Sequence, residues 1–414
     1  MALPAHEGAA SAMTSFTSQY GALMGDLLAS VRSAAQRTPI SGIISTANHG
    51  RQVPGTIPLW AGEGDLPTPR FIAEAAAKAL YDGETFYTHS RGIPELREAI
   101  AGYYEEQFGR PFDPDTFFVT GSGMQAIQLC VAMTVGAGED ILIPTPSWPN
   151  AAGASTVIGA NPVIVPMAED AGRWVLTVEM LEKAMTPQTR AIFVNSPANP
   201  TGWTATREEM EAILAFARAN ELWIIADEIY SRFIWTGASR APSFLDIAEP
   251  DDRILWVGTF SKNWAMTGWR MGWIHAPLAL KQTLENLIQY STSGTAVFMQ
   301  RAGIAAITEG DWFVRSMIER AREGRDIVAE ALAGRNRVTF APPDGAFYAF
   351  FKVDGLESSR QAAIDLIDKA QVGTAPGTAF GENGEGYVRV CFLRSSDSLR
   401  EAMSRIVNYL ETLG

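Results

Sequence analysis

From Phe117 onward the chain repeats one pattern, a short apolar run followed by a stretch with helical spacing. Phe117–Val119 precedes Met124–Val135, Ile141–Ile143 precedes a segment near Pro149, and Pro162–Val165 precedes Val178–Met185. Ala191–Val194 then precedes Arg207–Asn220, and the runs Trp223–Ala226 and Ile254–Val257 close the series. Apolar runs alternating with helical patterns predict an α/β architecture, a mostly parallel sheet with helices on both faces. The sheet region is expected over about residues 65–289. Such sheets hold ligands at the carboxyl ends of their strands.

The flanks read differently. Ser15 to Ala35 predicts one helix, Pro54 to Pro69 a Gly/Pro-rich segment, and Pro69 to Tyr81 a helix. Beyond the sheet come a helix-rich part, Val297 to Arg335, an apolar run Phe347–Val353, and a helix near Ser359–Asp368. A second run, Tyr387–Phe392, and a last helix to Leu410 complete a smaller α+β domain. The expected division is an N-terminal segment, residues 1–60, packing with the small domain; a large ligand-binding domain, 61–295; and the small domain, 296–414.

Composition narrows the partners. The 414 residues are 47% hydrophobic and 19% charged, as in ordinary soluble globular proteins. A formal net charge of −13 argues against nucleic acid, which wants a basic face. No apolar run reaches the roughly 18 residues of a membrane span, and no basic start followed by an apolar stretch marks a secretory signal. Cys130 and Cys391 both lie in apolar runs and read as reduced core thiols, compatible with the cytoplasm. His6, His49, His89 and His275 are far apart, so no metal site is expected.

The strand ends carry the chemistry. After Phe117–Thr120 comes Gly121-Ser-Gly-Met124, small residues that expose N–H groups at a helix start, where phosphate binds; many such turns bind nothing. After Ile141–Ile143, Trp148 stands in a Pro-rich loop, placed either to stack on a ring or to pack the loop. After Ala191–Val194, Asn199 precedes Pro200, which restricts its backbone to extended conformations; a plain turn cluster reads the same way. Asp227 ends an apolar strand, with Tyr230 three residues on. A buried carboxylate needs a cationic partner, and a pyridinium nitrogen would be one; capping the next helix is the other reading.

Lys262 follows Ile254–Val257 in a run of Thr, Ser, Phe and Trp, and Arg270 comes eight positions later. A lysine in apolar surroundings has a lowered pKa and can form a Schiff base, while the arginine and hydroxyls suit a phosphate. Alone, the run also fits a Ser/Thr-rich loop with a surface lysine. Five strand ends that suit one ligand make a shared site the better account of the set.

Jointly, Pro146-Ser-Trp-Pro-Asn150, Asn199-Pro-Thr-Gly202, Asp227-Glu-Ile-Tyr230, Ser261-Lys262 and Gly268-Trp-Arg270 resemble the class I/II aminotransferases of pyridoxal phosphate fold type I. The resemblance runs from about Pro58 onward. It implies that 61–295 is the domain that binds pyridoxal 5′-phosphate, with Lys262 forming the Schiff base and Asp227 holding the pyridine nitrogen protonated. Asn199 and Tyr230 would bond the ring O3′ and Trp148 would stack on the ring. Ser122, Gly123, Thr259, Ser261 and Arg270 would bind the phosphate, with Met124 adding its backbone N–H. Gly386-Tyr-Val-Arg-Val-Cys391 resembles the segment whose arginine grips the substrate α-carboxylate, here Arg389; the fork of arginine suits that task. Gly62 resembles the backbone donor to the same carboxylate. Tyr87 resembles the tyrosine that reaches the phosphate of the neighbouring subunit, which implies a homodimer.

Gly64-Asp65 departs from the usual Glu-Pro-Asp continuation, and the first ~40 residues have no counterpart in the resemblance. Some relatives specific for aspartate carry a lysine where Met124 stands. The expected reaction moves an amino group from an L-amino acid to a 2-oxo acid. Alternatives on the same scaffold are a carbon–sulfur β-lyase, which typically has His in place of Tyr230, an aminocyclopropane-carboxylate synthase-like enzyme, and a non-catalytic regulator.

Overall fold

The computed structural model describes residues 27–170 and 172–413. The predicted apolar runs become a seven-stranded sheet, ordered Phe117–Thr120, Gly272–His275, Ile254–Thr259, Trp223–Asp227, Thr189–Asn195, Asp140–Thr145 and Asn161–Pro166. The strands from Asn161–Pro166 to Ile254–Thr259 pair in parallel. Their residues are almost all buried except along the edge strand Asn161–Pro166, which explains why they read as unbroken apolar runs. Gly272–His275 runs antiparallel to both its neighbours. Phe117–Thr120 therefore points the same way as the parallel strands, and its carboxyl end lies on their side.

The sequence pattern did not predict Gly272–His275, because four residues straight after a polar loop give too short a run to separate from it. Gly272 earns its place sterically: a Cβ there would stand 2.6 Å from the Gly123 nitrogen. Its absence lets the start of helix Gly123–Thr134 sit close against the sheet.

Helices cover both faces and form two apolar clusters against the sheet. One gathers Leu142, Ile192 and Ile224 with Met210, Ile213 and Leu214 of helix Arg207–Ala219. The other gathers Phe118, Ile143, Phe193 and Ile225 with Ile127 and Val131 of helix Gly123–Thr134. Each such fully buried side chain contributes about 1.5–3 kcal/mol of transfer free energy. Helix Pro94–Phe108, not predicted, and helix Val297–Glu309 pack together with Arg70–Tyr81 in a further cluster around Phe117, Val119 and Trp273.

The smaller α+β part is a four-stranded sheet ordered Val338–Thr339, Tyr348–Val353, Tyr387–Cys391 and Ala375–Pro376, packed on Asp311–Leu332, Ser359–Ala370 and Ser396–Glu411. Ile57–Pro58 pairs in parallel with Val372–Gly373 beside it. Leu59 N donates to the Gly373 carbonyl at 2.7 Å, and Cys391 N donates to the Leu59 carbonyl at 3.0 Å. This stitching carries the chain to Gly62.

The predicted helix Ser15–Ala35 lies largely outside the described residues. Within them, helix 27–30 stops at Val31, and Arg32 takes an extended backbone (φ −56°, ψ 141°) before the short helix Ser33–Gln36. The break turns the Arg32 side chain toward the Val157 carbonyl, to which it donates. No helix among the described residues is long and apolar enough to cross a membrane.

Candidate active site

A cavity of roughly 310 Å³ opens at the carboxyl ends of the central strands and meets the small sheet across it. Its wall contains Gly62, Gly123, Met124, Trp148, Asn199, Asp227, Tyr230, Thr259, Ser261, Lys262, Arg270 and Arg389, all of them picked out from the sequence. Ser122 stands just behind the wall as the N-cap of helix Gly123–Thr134, its Oγ accepting from Gln125 N at 2.9 Å. Tyr87 is the exception: it is 95% exposed and takes no part in the cavity of its own chain.

Register explains the convergence. Asn195 lies opposite Asp227, Asp227 opposite Val257, and Thr259 opposite Gly272, so the strand ends form one row. The loop after Thr259 bends back through the turn Thr267–Trp269, and Arg270 adopts a left-handed backbone (φ 53°). Arg270 donates to the Thr267 carbonyl at 2.6 Å and faces the cavity. Thr259 Oγ1 lies within hydrogen-bond reach of Ser261 Oγ, 3.0 Å, and of the Met271 carbonyl, 3.1 Å. Three hydroxyl-bearing residues, the N–H groups that start a 12-residue helix and a guanidinium thus surround one end of the cavity. That donor set fits a phosphate.

Lys262 Nζ donates to the Gly62 carbonyl at 2.7 Å and lies 5.6 Å from the Tyr230 ring centre. Its side chain lines the cavity, and burial pulls its pKa down to about 8. Gly62 has to be glycine, because a Cβ there would come within 2.3 Å of the Tyr348 hydroxyl. Asp227 is 2% exposed, and its Oδ1 has no hydrogen-bond partner among the described residues. Burial pushes its carboxyl up to about 7, against the pull of the Ile229 N–H and of Lys262. A buried acceptor left open toward a cavity asks for a donor from a ligand, preferably a cation.

Arg389 sits on the strand Tyr387–Cys391 and is 1% exposed. It donates to Asn199 Oδ1 at 3.1 Å and to the Trp60 carbonyl, while its Nε has no partner among the described residues. Tyr348 and Phe380 flank the guanidinium at 4.7 and 5.0 Å. Asn199 is held from behind by Asn195 Oδ1, which accepts from its backbone N–H at 2.8 Å. Tyr230 and Tyr348 share a hydrogen bond between their hydroxyls at 2.7 Å, and burial raises the Tyr230 phenol well above its usual value, so it stays neutral.

Sequence reasoning missed Ile43, Trp60, Glu63 and Tyr348 in this wall. Tyr348 begins a strand whose pairing with Cys391 brings it in, a contact across a separation no local pattern reports. Glu63 sits beside the predicted Gly62, so its position was available from the same motif.

The chain matches the family described as aminotransferase class I and II over residues 55–406. It is 37% identical to an aspartate aminotransferase of Pyrococcus horikoshii, over 86% of this chain and 90% of that protein. It is 35% identical to aromatic-amino-acid aminotransferase 2 of Thermococcus litoralis, over 87% and 92%. Among solved structures, an aspartate aminotransferase of Thermotoga maritima superposes with a TM-score of 0.84 at 30% identity, over 92% of this chain and 100% of that one. The family match spans more than four-fifths of the chain and includes every residue of the cavity wall except Ile43: this chain belongs to the class I and II aminotransferases.

Proposed function

We propose that the chain binds pyridoxal 5′-phosphate in this cavity and moves an amino group from an L-amino acid to a 2-oxo acid. The observation that carries the reading is the pairing of Lys262 Nζ, drawn down to about 8, with the open Oδ1 of Asp227 in one cavity. When bound, the cofactor supplies an aldehyde for the substrate amine and a cationic ring that takes up the electrons of the broken Cα–H bond.

The residues divide the work. Arg270, Ser122, Thr259, Ser261 and the N–H groups of Gly123 and Met124 hold the phosphate. Trp148 stacks on the ring. Asp227 Oδ1 accepts from the ring nitrogen and keeps it protonated. Tyr230 and the Asn199 amide, whose oxygen already faces Arg389, donate toward O3′. Arg389 and the Gly62 N–H fix the substrate carboxylate, which sets the Cα–H bond within reach of Lys262. Lys262 Nζ would take the proton from the substrate Cα and deliver it to the cofactor carbon on the other side of the amine nitrogen, a base suited to near-neutral pH by its lowered pKa. A homodimer, with Tyr87 reaching the phosphate of the neighbouring subunit, and a cytoplasmic location complete the reading; the exposure of Tyr87 supports the first.

Adding an amino acid to the holoenzyme tests it. Loss of the cofactor's aldehyde absorbance with one oxo acid formed per site is expected, and a second oxo acid restores the absorbance. Release of pyruvate and ammonia would instead indicate β-elimination. Lys262→Ala is expected to bind the cofactor without that exchange and to lose a factor of about 10² or more in rate.

A further inference from the structure

The cavity offers three cations among the described residues that line it, Lys262, Arg270 and Arg389. The aminotransferase reading commits them to the amine, the phosphate and the α-carboxylate, and the substrate class inferred from the wall rests on that reading. None is left for a second carboxylate. The remaining wall is largely apolar, with Ile43, Trp60, Met124, Ile127 and Ile229, and the free acidic group beside it is Glu63. Glu63 accepts from Thr267 Oγ1 at 2.7 Å and is near enough to act on the charge of Lys262.

We infer that the substrate carries a bulky uncharged side chain, and that Ile43 is part of the surface it packs against. Ile43 comes from helix Gly42–Gly50, outside both sheets, and packs against the cluster formed by Phe350, Ala375 and Phe380. The Phe380 ring is 5.0 Å from the Arg389 guanidinium, so the cluster that Ile43 packs against reaches the group that fixes the α-carboxylate, and both Ile43 and Arg389 line the cavity. An acidic side chain brought there would lose water with no cation to meet it, and Glu63 would repel it.

The surface that carries Tyr87 offers no lysine or arginine of its own for a second carboxylate. The exposed stretch 84–90 that carries Tyr87 adjoins 290–294, where Gly294 lies against the backbone of His89 and Ser90. Neither stretch contains Lys or Arg. They present Phe86, Tyr87 and Tyr290, 83%, 95% and 91% exposed, so a second copy docking there brings aromatic surface.

The test is a donor panel on the holoenzyme: phenylalanine, leucine, aspartate and glutamate. Phenylalanine is expected to exceed aspartate in kcat/KM by about tenfold or more, and Ile43→Lys to shrink that ratio by about tenfold, while Ile43→Val keeps it within about twofold. A preference for aspartate, or a ratio unmoved by Ile43→Lys, overturns the inference. Dissociation constants of 3-phenylpropanoate and succinate, read from the absorbance of bound cofactor, give a second measure. They separate this inference from the activity it rests on: absence of turnover with every donor refutes the activity, whereas tighter binding of succinate refutes the apolar site. If Ile43→Lys does not fold by thermal unfolding, Ile43→Ala replaces it. That variant is expected to weaken 3-phenylpropanoate and leave succinate unchanged; equal loss of both overturns the role of Ile43.

Discussion

Asp227 is a nearly fully buried carboxyl that receives one backbone N–H and leaves Oδ1 open. Its folded pKa, about 7, lies above the unfolded value, so the fold favours the protonated form. The stability this gives is present at acid pH and is lost as pH rises from about 4 toward about 7. In the protein stripped of cofactor, Asp227→Asn keeps the shape and removes the titration. Urea unfolding should therefore show the variant gaining on the natural protein as pH rises through that window. Cofactor affinity should move the other way, falling about tenfold or more, because in the proposed site the carboxylate's charge would meet the ring nitrogen. A variant that lost stability at pH 8 and kept its affinity would refute the assignment. Lys262 has the opposite sign: its folded pKa is lowered, so the loss of its charge adds stability as pH rises from about 8 toward the unfolded value. Lys262→Met should abolish that alkaline gain.

Helix Arg207–Ala219 shows how local sequence sets an element. Thr206 Oγ1 accepts from Glu209 N at 3.1 Å, and Glu209 Oε2 accepts from Thr206 N at 2.8 Å, a reciprocal cap. Thr206→Ala should cost about 1 kcal/mol in denaturant unfolding with kcat unchanged, since the helix start lies away from the cavity wall. The same locality governs what could be read in advance. Strands such as Ala191–Val194 and Trp223–Ala226 were legible because they are buried on both faces, and the polar groups at their ends stand out against them. Asn199, Asp227 and Lys262 were legible for that reason. Tyr348 and Ile43 were not: one arrives through pairing with Cys391 and the other through packing on the cluster of Phe350, Ala375 and Phe380, and neither contact leaves a local pattern. Helix Val297–Glu309, placed with the small domain by its position in sequence, packs instead on Arg70–Tyr81 and Pro94–Phe108. We propose that the division between the two domains falls near Gly310.

At the scale of the whole molecule, Tyr87 decides between a self-sufficient chain and a shared site. All other predicted residues lie in or directly behind one cavity, while Tyr87 is 95% exposed beside an exposed Phe86. Two large aromatic side chains held in water favour burial against a partner. If a second copy covers them and places the Tyr87 hydroxyl on the phosphate, two defective chains can repair each other. Lys262→Ala lacks the base and keeps Tyr87; Tyr87→Ala lacks the phenol and keeps Lys262. In a mixed dimer one site draws Lys262 from one chain and Tyr87 from the other and is intact, while its companion site lacks both. Random exchange makes about half the dimers mixed, each with one working site of two, so activity should rise toward about one quarter of the natural protein's. The rise should require subunit exchange, followed by labelling the two variants with different fluorophores and measuring energy transfer as activity appears. Exchange without any rise above the sum of the two parent variants would mean that each site is built from a single chain.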